Sequence, residues 1–375
     1  MKSITKFVGL DVSRDKIAVA VAERGVGAAR YLGVYPNTLE AVRKLLNRLG
    51  RPEELHVCYE AGVTGYGLAR FLRGLKIECM VVAPSKIPLV PGPRVKTDRK
   101  DAVMLAERLR TADLVSVWVP DEADEALRDL VRARKARMED LKRAKQRVNM
   151  LLLRHGITKP EKTTPWSERY RAWLRGLELP QKNSQAVLQE YIIAVEEVEQ
   201  GVRRLELLIK DTAANSPHAP VIQALQALRG VQVIAAATIV AEVGDFTRFA
   251  HPEQLMAYAG MTPRESSSGD RVSRGAIMKT GSAELRWICN QIAHSYRYSP
   301  KVAGDLARRL EGLSPEIQAI AWKAQIRLHK KLVRLMAKGK CRQVAVTAVA
   351  REFLGFAWAI GQKVCFETAL GKRSA

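Results

Sequence analysis

Residues 7–21 read F-V-G-L-D-V-S-R-D-K-I-A-V-A-V, two short apolar runs separated by a polar turn. Phe7–Val12 and Ile17–Val21 have the length and apolar continuity of buried strands, and Ser13–Lys16 is the hairpin between them. The first run carries a carboxylate, Asp11. Working outward, a third strand is predicted near Tyr31–Tyr35 and an amphipathic helix through Leu39, Val42, Leu45, Leu46 and Leu49. A strand then ends at Glu60, a helix covers 66–72, and a strand covers 77–82.

Three strands followed by alternating helix and strand is the order of a ribonuclease-H-like sheet, in which acids of the first strand, the fourth strand and a later helix meet at one edge. Asp11 and Glu60 occupy the two strand positions. Asp98 and Asp101 open a helical pattern and, three residues apart, share one helix face. Each acid alone has an ordinary explanation: a strand end, a surface pair, or a first-turn residue favoured by the helix dipole. Jointly, an oxygen-only set points to hard divalent ions such as magnesium, which clamp the attacking and leaving oxygens in phosphoryl transfer.

The 375 residues suffice for two or three cores, and the net charge of +23 calls for a polyanionic partner, nucleic acid first. Lys86, Arg94, Lys96, Arg99 and Lys100 crowd the predicted acidic site. The five cysteines are scattered without zinc spacing and read as reduced. Residues 1–6 hold no signal core, and the longest apolar run, 233–241, is too short to cross a bilayer. A soluble, intracellular protein with no membrane partner is expected.

Residues 84–97, with four prolines, read as an irregular loop leading into Asp98. A long helix is predicted over 122–155 with basic outer faces, and a second, acidic helix carries Leu188, Tyr191, Val195, Val198, Val202, Leu205 and Ile209 at three-four spacing. Together they suggest an antiparallel coiled-coil arm, with 156–183 as an irregular tip. The basic stripe suits nucleic acid or the acidic helix equally well. Residues 221–243 have the outline of a helix-hairpin-helix, although its glycine pattern is incomplete. Residues 262–281, T-P-R-E-S-S-S-G-D-R-V-S-R-G-A-I-M-K-T-G, read as a flexible basic loop able to expose a hydroxyl to a phosphodiester. The remainder is mainly helical, with a core helix at 344–360 and a disordered Lys372-Arg373 tail.

The motifs G-L-D-V (9–12), Y-E-A-G (59–62), K-T-D-R-K-D-A (96–102), G-M-T-P-R-E-S-S-S-G (260–269) and I-M-K-T-G-S-A-E-L-R (277–286), in this order, make the chain resemble the DEDD insertion-sequence transposases. That family is related to pilin-gene invertases and is understood as bridge-RNA-guided recombinases. The resemblance implies an α/β plus α architecture: a RuvC-like catalytic domain (1–115), a helical coiled-coil arm (116–215) and a mainly helical transposase domain with a catalytic serine loop (216–375). It implies that Asp11, Glu60, Asp98 and Asp101 bind Mg2+ or Mn2+, and that the serine before a glycine, Ser268, attacks DNA to form a phosphoserine link. Ser266 and Ser267 adjoin it and stay open as alternatives. Lys96, Arg271, Arg274 and Lys279 are the candidate nucleic-acid contacts. The implied partners are DNA, at element ends and target site, and a structured guide RNA. A homo-oligomer, dimer or tetramer, in the cytoplasm of a bacterial or archaeal cell and associated with the nucleoid is expected. The competing reading is a RuvC-like, metal-dependent junction nuclease, which would use water rather than a serine.

Overall fold

The computed structural model describes residues 4–84, 87, 97–268 and 271–374, with the backbone alone for 266–268, 271, 272, 274 and 368–374. The chain divides into two compact units, Met1–Asp121 and Glu122–Ala375.

In the first unit, β1 (Lys6–Val12), β2 (Lys16–Glu23) and β3 (Arg30–Pro36) precede α1 (Leu39–Leu49); β4 (Leu55–Glu60), α2 (Gly67–Gly74) and β5 (Glu78–Val82) follow, and then α3 (Asp98–Arg110). The sheet order is β3-β2-β1-β4-β5. β1 is antiparallel to β2 and parallel to β4, β2 is antiparallel to β3, and β4 is parallel to β5. This mixed sheet is compatible with the ribonuclease-H-like arrangement of a DEDD transposase. Alternation decides which helix covers which face. Val8, Leu10, Val57 and Tyr59 pack with Val42, Leu45 and Leu46 of α1 and Ala69 and Leu72 of α2. On the other face, Ala18, Ala20 and Ala22 meet Ala102 and Ala106 of α3, and Cys58 and Val82 meet its Leu105 and Leu109. Small residues on both sides let α3 lie close to the sheet. The closest approach is at Gly9, where a Cβ would fall 2.3 Å from the Ala102 carbonyl oxygen.

The second unit opens with α4 (Glu122–Arg154), α5 (Glu168–Arg175) and α6 (Lys182–Asn215). Leu127 and Val131 of α4 share a core with Ile209 and Ala213 of α6, while Leu141–Leu152 share another with Leu188–Val195. The pairing is therefore antiparallel. The basic stripe of α4 is partly committed to it: Arg134 bonds Glu206 at 2.6 Å, and Lys145 and Arg171 both reach Glu199 at 2.8 Å. The segment 156–183 is not the irregular tip expected from its polarity. It contains α5, capped by Ser167 and burying Tyr170 and Leu174 against the helix pair.

Then come α7 (Ala219–Leu225), α8 (Val233–Val243), α9 (Pro252–Tyr258), β6 (Pro263–Ser268), β7 (Arg271–Ile277), α10 (Ala283–Ala293), α11 (Asp305–Leu310), α12 (Pro315–Ala337) and α13 (Arg342–Ser374). Helix, turn and helix at α7–α8 match the sequence reading, with Gly230 at φ +81° in the turn. Residues 262–281 depart from it. They form an antiparallel β-hairpin, Pro263 opposite Ile277 and Ser268 opposite Arg271, rather than a loop. Serine and glycine content hid strand pairing that Val272 and Ile277 favour. The Lys372-Arg373 tail also departs, being part of α13, which meets no proline along its length. That helix is long and apolar enough over Arg342–Glu367 to cross a bilayer by length and composition, which the reading of 233–241 as the longest apolar run overlooked. Its Val349, Phe353, Leu354, Ala357 and Ile360 are buried in the core of this unit.

Candidate active site

Asp11 and Glu60 lie at the carboxyl ends of adjacent parallel strands. The register pairs Lys6 with Leu55 through Leu10 with Tyr59, so the next step sets Asp11 beside Glu60. Both face α3. Asp11 is two residues from Gly9, which abuts Ala102 and Ala106, and Glu60 is two from Cys58, whose thiol bonds the Leu105 carbonyl at 3.5 Å.

Two contacts fix the direction of α3. Lys16, where β2 begins, pairs with Asp98 at 3.6 Å; at the other end Arg110 donates to the Glu23 and Gly27 carbonyls. Lys6 and Glu23 are register partners, so the amino end of α3 lies at the Asp11 end of β1. Thr97 caps this helix by accepting from the Lys100 amide. Along α3 the rows 98-102-106 and 101-105-109 repeat every four residues. Ala102 and Ala106 sit over β2 and Leu105 and Leu109 over β4, so Asp98 continues the row over β1 and β2, and Asp101 the row toward Glu60.

The structure thus gathers the four acids at one edge. It does not draw them to one point: among the described residues, no three of His, Cys, Asp or Glu are close enough to hold an ion. The donor chemistry still suits a hard divalent cation. The four carboxylates offer only oxygen, and the nearby Cys58 thiol is buried, which pushes its pKa well up and keeps it protonated.

Ser268 ends β6, and its backbone pairs with that of Arg271 across the hairpin. The side chains of Ser266, Ser267, Ser268, Arg271 and Arg274, and the whole of Lys96, lie outside the described residues. Lys279 is described. It is exposed, holds a left-handed φ of +60°, and donates its amide to the Gly260 carbonyl at 2.9 Å.

Sequence reasoning missed what fixes the hairpin base. Gly260 and Gly281 have positive φ, and a Cβ on either would come within 2 Å of a carbonyl oxygen, that of Thr280 at 1.8 Å or of Tyr258 at 1.9 Å. Arg286 ties the same turns together through the carbonyls of Ala259, Thr280 and Gly281. Ser282, the α10 cap, donates to buried Glu242, which also takes two bonds from Arg132. The glycines were the only sequence signal for this clamp.

An acidic edge on a sheet of this order, followed by a basic helical unit, is the frame of a DEDD-type nucleic-acid-processing enzyme. Comparisons narrow the class. Residues 8–157 match the DEDD transposase model of the IS110 type, and residues 222–304 match the model described as transposase IS116/IS110/IS902 family. The y4qE protein of Sinorhizobium fredii, which is named as a transposase, is 44% identical over 359 residues, covering 95% of this chain and 88% of that protein. The transposase for insertion sequence element IS1533 of Leptospira borgpetersenii is 30% identical, with 89% and 97% covered. The transposase for IS1328 of Yersinia enterocolitica is 23% identical, with 86% and 97% covered. The chain belongs to the IS116/IS110/IS902 family of insertion-sequence transposases.

Proposed function

We propose that this transposase exchanges DNA strands through Asp11, Glu60, Asp98 and Asp101 acting on divalent ions, with Ser268 as the nucleophile. The observation that supports this reading is the shared edge: two carboxylates on adjacent strands and two on the first turn of the helix that crosses them. Bound there, Mg2+, or Mn2+ in its place, would polarise the scissile phosphate and help activate a hydroxyl that is a poor nucleophile at neutral pH. Asp11 and Asp98 would form one half of the cradle, Glu60 and Asp101 the other.

As Oγ of Ser268 bonds to phosphorus, the bond to the leaving strand's oxygen breaks. The hydroxyl proton passes to solvent and the departing oxygen gains one. One phosphodiester replaces another, so joining needs no ATP. Lys96, Arg271, Arg274 and Lys279 would neutralise phosphate charge. The two halves of the machinery come from different units of the chain, and we place them together across protomers of a homo-oligomer, dimer or tetramer, with α4 and α6 as a coiled-coil arm between a catalytic domain (1–115) and a transposase domain (216–375). A structured RNA of the element would select donor and target DNA at the nucleoid.

The test is to sequence RNA that co-purifies with the chain and supply it with plasmids carrying the element ends. Two RNA loops complementary to the ends and to an insertion site, and EDTA-sensitive joining, are expected. Cleavage of branched DNA without joining would favour the junction nuclease.

A further inference from the structure

Beside the base of the serine hairpin is a cavity of about 390 Å³. Its walls are apolar: Met261, Pro263, Ile277, Val344 and Ala348, contributed by the hairpin and by the start of α13. Four polar residues line it, Lys279, Gln343, Thr347 and Arg351. Among the described residues neither cation makes an ion pair, although ion pairs engage many basic side chains elsewhere in this unit. The Gln343 amide makes no side-chain hydrogen bond among the described residues. The neighbouring Thr347 hydroxyl is committed to the Gln343 carbonyl at 2.8 Å and to Asn290.

A site with apolar walls, one amide able to donate and accept, and two cations that make no ion pair among the described residues suits a flat heteroaromatic group flanked by anionic phosphate. A second observation points the same way. Lys279 holds φ +60°, a conformation that non-glycine residues adopt at a cost, and the glycine clamp at Gly260 and Gly281 maintains it. The pairing of β6 with β7 also shifts register between Pro263 and Glu265, at the cavity wall. The strained Lys279 and the register shift beside Pro263 both lie at the cavity lining.

We infer that this cavity is a nucleotide subsite for DNA: it takes one base unstacked from the strand being exchanged, between Ile277 and Val344, with Gln343 on the base edge and Lys279 and Arg351 on the flanking phosphates. Strand exchange requires bases to leave one duplex before they join another, so an unstacked base is available in that reaction, and an apolar slot holds it as extruded bases are held elsewhere. This rests on the reading of the hairpin as the DNA-attacking element. It also sets a distance. β6 runs from Pro263 at the cavity to Ser268, a span of at most about 17 Å at the usual rise per residue. The captured base therefore lies within about five duplex steps of the phosphate that the serine attacks.

The test uses the full chain and single-stranded deoxyoligonucleotides carrying one 5-iodouracil, irradiated and digested for mass spectrometry. Adducts are expected on peptides containing Met261, Ile277 or Gln343–Arg351. Narrowing the slot with Ala276→Leu, at an exposed lining residue of β7, and Ala348→Leu, at a half-buried one of α13, should cut those adducts at least tenfold while adducts at other basic surfaces persist and report a folded chain. Lys279→Gln and Arg351→Gln should lower the same adducts several-fold and make their loss with salt shallower, since each variant removes a phosphate contact. Absence of cavity adducts, or yields unchanged in the narrowed variant, overturns the inference. So does a cavity adduct formed only with the matching RNA oligonucleotide. The measurement is of binding and needs no catalysis, so loss of the serine adduct in a reaction assay would refute the proposed nucleophile without touching this result.

Discussion

Gly9→Ala is the substitution that should uncouple fold from function most sharply. The new methyl carbon would sit 2.3 Å from the Ala102 oxygen and 2.5 Å from the Ala106 nitrogen, both backbone atoms of α3. Ordinary contact begins at 3.4 Å, so the helix has to retreat by about 1 Å. Overpacking of this kind costs about 1–3 kcal/mol. For a unit of this size each kcal/mol lowers Tm by about 4–8 °C, so a fall between roughly 4 and 24 °C is expected by scanning fluorimetry. The larger effect is on catalysis. Asp98 and Asp101 ride on α3 while Asp11 and Glu60 stay on the sheet, and a displacement of about 1 Å between reacting groups costs roughly 100-fold in rate. Strand exchange should fall by about that factor at a temperature where the variant is fully folded, with DNA affinity unchanged. Gly67→Ala is the control: nothing lies within 4 Å of its added carbon, and it should be neutral or slightly stabilising. If Gly9→Ala joined strands at the wild-type rate, the close seating of α3 would have no part in the site.

Three further outcomes follow from the same geometry. Asp11→Asn, Glu60→Gln, Asp98→Asn or Asp101→Asn should each abolish strand exchange while leaving Tm and DNA binding close to wild type, and wild-type joining in excess EDTA would contradict the metal role. Nucleic-acid affinity should drop steeply with salt, by about 10³–10⁵ between 50 and 200 mM for 6–10 phosphate contacts, as read by anisotropy titration; a flat plot would show that the +23 charge serves something else. In the helix pair, burial pushes the Glu199 carboxyl up, but bonds from Arg171 and Lys145 outweigh it and hold the pKa below its ordinary 4.5. A depressed carboxylate contributes stability above its unfolded pKa and loses it as pH falls through the folded one. Glu199→Gln should therefore cost on the order of 1–3 kcal/mol at pH 7, a gap that closes as pH falls below 4.5 in urea melts.

The amino-terminal sheet was legible because its strands are short apolar runs and its helices keep a three-four period, so the order that brings Asp11, Glu60 and Asp98 to one edge could be read directly. The role of Gly9 could not, since a glycine's neighbours are set by the packing of α3, some ninety residues away. α5 was hidden by the polarity of 156–183, where buried Tyr170 and Leu174 are too few to mark a period. The hairpin was hidden by composition: Ser266–Ser268 and Gly275 suggest a linker, and only register and the backbone bonds from Met278 to Thr262 and Lys279 to Gly260 reveal strands. Whether the basic stripe of α4 faces solvent or protein depends on which acids lie opposite. Arg134 and Lys145 found them on α6, whereas Arg147 and Arg154 line an open groove.

The central claim, a serine nucleophile working with the acidic edge, is tested most directly by trapping the reaction on nicked suicide substrates. Denaturing gels should show a slow-migrating protein–DNA adduct that mass spectrometry maps to Ser268, and the adduct should vanish in Ser268→Ala, in Asp11→Asn and in EDTA while DNA is still bound. Cleavage by Ser268→Ala at the wild-type rate, with no adduct on Ser266 or Ser267, would mean that water is the nucleophile and that the account is wrong.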